Sequence, residues 1–240
     1  MATKEDFYQA YGKFCENNEL SSRPFQSLTK EQVRVSRFKE NSAISNNEYE
    51  YWKNFFLTGL DFHTECADLN QNKELFTSVL AELVNCEYKN IFEPMCQSGI
   101  FGSFIAGSIK GSTYIGIDYN EEGVRKAKEF KDNNGLENAV FEKGNLFTYH
   151  GKGHEVLIGR YILNGEEEVL NEESIDKFHL DFITEQSDRI ILIQTVSKPK
   201  NVELYRQVFD DIDYDFEILQ EPIALNSRAG KFAFAFKATR

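Results

Sequence analysis

Apolar and polar positions follow one period before residue 90 of this chain and another after it. In EDFYQAYGKFC (5–15), Phe7, Tyr8, Tyr11, Phe14 and Cys15 recur at helical spacing. Thr29 with Gln32, and Ser45 with Glu48, each fit a capping box ahead of a helix. The second opens SNNEYEYWKNFF, where Tyr49, Trp52 and Phe56 share one face. Residues 61–72, DFHTECADLNQN, read as a loop. NKELFTSVLAELVNC then reads as a helix with Leu75, Phe76, Val79, Leu80 and Leu83 as its buried stripe.

From residue 90, short strands alternate with helices. The strands are NIFEP, STYIGID, AVFEKGN, EVLIGRYIL, RIILIQTV, DYDFEILQ and KFAFAFKA. Between them lie the helical patterns GIFGSFIAGSI, NEEGVRKAKEFKDNNG, ESIDKFHLDFITEQ and NVELYRQVFDDI. Asn120 caps the second of these and Gly135 stops it. Such alternation predicts an α/β fold with a mostly parallel sheet covered on both faces. The run Ile190–Ile193 suits a strand buried on both sides. The last two strands are joined by EPIALNSRAG, which has no helical pattern, so they form an antiparallel pair. In the last strand Phe232, Phe234 and Phe236 face one way and the alanines the other.

Composition narrows the partners. With 27 Lys and Arg against 39 Asp and Glu the net charge is -12, which opposes a nucleic-acid partner because that binding begins with phosphate neutralisation. No apolar run is long enough to span a bilayer, and the start MATKEDFYQAYG lacks an apolar signal region, so a cytoplasmic protein is expected. The four cysteines, Cys15, Cys66, Cys86 and Cys96, show no metal-ligand spacing with the four histidines, and no metal is expected.

Open α/β sheets bind ligands beyond the carboxyl ends of their strands. Glu93, Asp118, the pair Gly144–Asn145, and Arg160 with Tyr161 stand at the ends of the first four strands. The first loop reads IFEPMCQSGIFG, with Gly99 and Gly102 only. A dinucleotide reading needs three glycines there and no acid beside the pyrophosphate, so it ranks low. The ordered series FEPMCQSG, YIGIDYN, FEKGNLF, EVLIGRYILN resembles that of class I S-adenosylmethionine-dependent methyltransferases, most of all their small-molecule branch.

The resemblance covers roughly residues 72–240. It implies a Rossmann-like seven-stranded methyltransferase sheet, order 3-2-1-4-5-7-6, with the last strand antiparallel. The chain then divides into an N-terminal helical cap over 1–70 and a cofactor-binding domain over 71–240. It also implies S-adenosylmethionine as cofactor and S-adenosylhomocysteine as product. On that reading Asp118 accepts hydrogen bonds from the ribose hydroxyls, and Glu93 lies near the methionine ammonium group. The backbone of Met95, Cys96 and Gly99 passes the methionine part. Tyr119 and Leu146 sandwich the adenine, Asn145 meets its N6 edge, and Arg160 lies beside the cofactor or anchors a substrate carboxylate. Met95 and Gln97 depart from the family, which often has glycine there, and this bears on cofactor affinity.

Each residue also has a plainer reading. Asp118 could lead into the capped helix, Asn145 could serve a turn, and Arg160 could be an ion-paired strand end. Methyl transfer needs a base only when the acceptor arrives protonated. Candidates are Tyr161, His154 and His179, with His150 beside them. Tyr49, Trp52, Phe55, Phe56 and Tyr161 form a candidate acceptor pocket, and the N-terminal helices alternatively a homodimer interface. The expected activity is methyl transfer to O, N or C of a small molecule. The alternatives are a degenerate methyltransferase fold acting as a binding or scaffold subunit, and a protein methyltransferase.

Overall fold

The computed structural model describes residues 3–20, 69–149, 151, 153–163, 175, 177–225 and 232–240. Helix α1 spans Lys4–Asn17 and α2 Leu69–Asn85; β1 follows at Asn90–Pro94, α3 at Ile100–Ser108, β2 at Thr113–Asp118 and α4 at Glu121–Asn133. Strands β3 (Ala139–Lys143) and β4 (Val156–Arg160) lead to α5 (Lys177–Gln186), β5 (Arg189–Val196), α6 (Val202–Asp210), β6 (Asp215–Ala224) and β7 (Phe232–Thr239). The strands form one sheet in the order β3-β2-β1-β4-β5-β7-β6. β1 to β5 pair in parallel, and β7 runs antiparallel to both β5 and β6. This is the expected order.

Alternation along the strands sorts the core into two layers. Ile91, Tyr114, Phe141, Ile158 and Ile193 face α1, α2, α3 and α4. Phe92, Ile117, Leu157, Leu192, Phe234 and Phe236 face α5 and α6. The alanines Ala233 and Ala235 lie on the first side, as the period-2 reading of the last strand requires. Helix α1 packs into the first layer. Tyr11 meets Phe76 and Phe104 edge-on, Phe14 meets Phe104 and Phe130, and Asn18 exchanges hydrogen bonds with Asn134 at the end of α4. Its start is a capping box between Thr3 and Asp6 that the sequence reading passed over. Residues 3–20 therefore share the main core. The remainder of the expected cap, with both capping boxes at Thr29 and Ser45, lies outside the described residues.

Some boundaries move. Residues 69–72, read as loop, already belong to α2. β4 stops at Arg160, short of Tyr161–Leu163, because Tyr161 takes a φ of 58° and turns the chain out of the strand. β6 runs through Pro222 to Ala224, so the irregular link is shorter than expected. Proline is tolerated there because β6 is an edge strand with register shifts between Ile218 and Ile223.

Candidate functional site

The loop between β1 and α3 adopts an alternating backbone. Met95, Gln97 and Gly99 have φ of 57°, 54° and 72°, all left-handed. Two side chains thus occupy conformations that glycine holds most easily, at about 1–2 kcal/mol each. The loop is held there by hydrogen bonds. Cys96 N donates to Ile117 O at 2.9 Å, and Gln97 N donates to Asp118 Oδ2 at 2.9 Å. Gly99 N returns to Cys96 O at 2.9 Å, and Ser103 N to Gly99 O at 2.8 Å, which starts α3. The glycine at 99 has a second reason: a Cβ there would lie 2.7 Å from that of Ala127 and 2.9 Å from the Phe141 ring. Met95 sends its side chain toward the β-sheet face that carries Phe92 and Ile117, and Gln97 stays half-buried.

Asp118 closes the other side of the loop. Its Oδ1 accepts from Asn120 N at 2.8 Å while Oδ2 accepts from Gln97 N. A carboxylate has about four acceptor sites, and two are used here. Asp118 is only 6% exposed, and burial raises its carboxyl to about 6 in spite of both N–H groups, which act to lower it. Asn120 in turn caps α4, its Oδ1 accepting from Glu122 N and Gly123 N. The plainer reading of Asp118 as a lead into a capped helix is therefore also satisfied, but the contact with Gln97 goes beyond it.

Glu93 is 1% exposed, inside β1 and not at its tip. The hydroxyl of Tyr114 donates to its Oε2. Burial above all, and then the charges of Asp118 and Glu93, push the Cys96 thiol up. The Arg160 guanidinium, 7% exposed, lies over the rings of Phe76 (5.4 Å) and Phe101 (5.5 Å), and its charge reaches Cys96 and Tyr114. Beyond β2 and β3 stand Tyr119, 37% exposed, exposed Asn145, and Leu146, buried in a single 3-10 turn. Register places Pro94 beside Ile117 and Asp118 beside Lys143, so these residues do gather at one rim.

The catalytic candidates separate. Tyr161 follows β4 at the rim, and its N–H donates to Ile193 O at 2.7 Å. His179 lies half-buried in the first turn of α5. His154 does not reach the rim: it precedes β4, at the opposite end from Arg160, and its ring stacks on Phe92 at 4.5 Å and 12°. Burial lowers its imidazole, as expected for a ring packed against apolar neighbours. His150, Tyr49, Trp52, Phe55 and Phe56 lie outside the described residues. Among the described residues no cluster of His, Cys, Asp and Glu could hold a metal ion.

Two parts of the site escaped the sequence reading. One is the tie from Gln97 N to Asp118, which uses main chain and leaves no residue signature. The other is Tyr114. Its trace was Gly102, a glycine within an apolar helix, which usually marks close packing.

Neither a family model nor any curated protein matches the sequence. Solved structures do match the fold. Magnesium protoporphyrin IX methyltransferase from Synechocystis PCC 6803 was crystallised with S-adenosylmethionine and with S-adenosylhomocysteine. The second form aligns at TM-score 0.56 and 14% identity over 89% of this chain and 95% of that one. The methyltransferase domain of bacterial CtHen1 aligns at TM-score 0.54 and 14% identity over 70% of this chain and 99% of that one. YcgJ from Bacillus subtilis aligns at 0.50 and 12%, over 68% and 97%. With its strand order, its antiparallel final strand and these likenesses, the chain has the class I methyltransferase fold.

Proposed function

We propose that this protein is an S-adenosylmethionine-dependent methyltransferase of the cytoplasm whose acceptor is a small molecule. The observation that carries the reading is Asp118. An acid 6% exposed, with carboxyl raised to about 6, is costly to keep at the tip of β2. One of its acceptor sites holds the loop at Gln97 N and one holds the start of α4 at Asn120 N, and the remaining two suit a ribose diol. The left-handed positions at Met95, Gln97 and Gly99 support the same reading, since they bring the loop backbone to where the methionine part would pass. Tyr119 and Leu146 are the proposed adenine walls, with Asn145 at the N6 edge and Glu93 toward the ammonium group.

Methyl transfer from a sulfonium is an in-line displacement with its leaving group already in place. The protein then contributes positioning and exclusion of water more than proton transfer. Tyr161 is the proposed contact to the acceptor, because it stands after β4 with its backbone turned out of the strand. A net charge of -12 favours neutral or cationic acceptors over nucleic acid. The fold alone does not choose the acceptor, since a candidate RNA methyltransferase from Pyrococcus horikoshii also matches, at TM-score 0.54 and 12% identity over 69% of this chain and 81% of that one. The test is incubation with methyl-labelled S-adenosylmethionine and separate pools of metabolites, RNA and protein. Label in the metabolite pool is expected. Label in RNA or protein alone, or in no pool, overturns the reading.

A further inference from the structure

Tyr114 stands on β2 opposite Ile91 and is fully buried. It belongs to the same buried layer as Phe76, Phe101 and Phe104 and packs its ring 5.5 Å from that of Phe141, where a phenylalanine would fill the same space. Its hydroxyl is the one group that such a replacement would lack, and two features are built around it. The hydroxyl donates to Glu93 Oε2. It also occupies the space above Gly102, where an added Cβ would lie 1.9 Å from Oη and 2.2 Å from Cζ. A glycine inside a helix weakens it relative to alanine, so α3 gives up stability to admit this oxygen. Burial and the Glu93 charge keep the phenol well above its usual range, so the hydroxyl acts as donor and the carboxylate as acceptor.

A buried carboxylate held in one orientation is arranged in advance for a cation. We propose that Tyr114 is a positioning residue for the amino-acid end of the cofactor, acting through Glu93. This rests on the cofactor reading above and names a residue outside the strand-end set. Tyr114 touches no ligand itself; it fixes the direction of the Glu93 carboxylate beneath the loop. Its effect must therefore appear only for ligands that carry the ammonium group.

The test compares two ligands by calorimetry: S-adenosylhomocysteine, and 5′-methylthioadenosine, which keeps the adenosine and thioether but lacks the amino-acid end. Tyr114→Phe is expected to weaken S-adenosylhomocysteine by about tenfold, the worth of a hydrogen bond to a charged group. Its affinity for 5′-methylthioadenosine is expected to stay within about twofold. Equal losses for both ligands would mean a purely structural role, and no loss for either would mean none; each overturns the proposal. Gly102→Ala keeps the Tyr114 hydroxyl but pushes it away from Glu93, and the same selective loss is expected should Tyr114→Phe lose its fold. A wild-type protein that binds neither ligand overturns the cofactor reading as well. A wild type that binds both without a selective loss in the variants overturns the role of Tyr114 alone.

Discussion

Over β1 and β2 the rim is held by main chain: Gln97 N on Asp118, Cys96 N on Ile117, and a backbone of alternating hand. Over β4 and β5 it is made of particular side chains. Arg160 lies against two rings, Tyr161 turns left-handed, and Gln194 on β5 is fully buried with no hydrogen bond to Nε2 or Oε1 among the described residues. A backbone site tolerates change in its side chains, so Met95 and Gln97 can hold left-handed positions where the sequence resemblance leads one to expect glycine. A side-chain site has no such freedom, because its shape and charge are set by those residues themselves.

The sharpest break in the β1–β2 half is Gly99→Ala. The added Cβ meets Ala127 and Phe141 at a positive φ, so a loss of about 2–4 kcal/mol in urea unfolding is expected from overpacking and backbone strain together. A loss below about 1 kcal/mol would mean that the loop yields easily. In the other half, Gln194→Leu removes a buried amide with two unmet groups, and stability is expected to rise by about 1–3 kcal/mol. A fall instead would show that the amide is satisfied in solution.

The pH dependence separates the halves again. The carboxyl of Asp118 is raised from 3.8 to about 6 in the fold, so it binds more protons folded than unfolded. The stability tied to its protonated form is full below pH 3.8 and lost as pH rises through about 6, a difference of about 3 kcal/mol. A ribose diol needs the ionised form. Affinity for S-adenosylhomocysteine is therefore expected to level off above pH 6 and to fall toward about tenfold per pH unit below it. A flat profile from pH 5 to 8 would remove Asp118 from the contact.

The smallest effect is expected at Gln97→Gly. It relieves a left-handed side chain but adds chain entropy, so stability should change by less than about 1 kcal/mol. The N–H that Asp118 accepts remains, and ligand affinity should stay within about threefold. A large gain in affinity would mean that the Gln97 side chain obstructs the site.

Strand order was legible because β-α alternation, the Ile190–Ile193 run and the phenylalanine–alanine alternation of β7 are properties of residue type. The two acids were legible because Glu93 and Asp118 follow apolar runs, although Glu93 lies within β1 and only Asp118 ends its strand. The hands of Met95 and Gln97 were not, since nothing in either side chain announces a positive φ. His154 misled because proximity to β4 in sequence does not say which end of the strand it joins. Tyr114 was hidden because a tyrosine in an apolar strand reads as core, and its hydroxyl matters only once α3 lies over it.

The most direct test titrates S-adenosylhomocysteine into the protein and into Asp118→Ala at pH 7.5. The expected result is one-site binding by the wild type, weakened in the variant by about 1.5–3 kcal/mol for each charged hydrogen bond lost. Absence of heat at millimolar ligand, or equal affinity in both proteins, would contradict it.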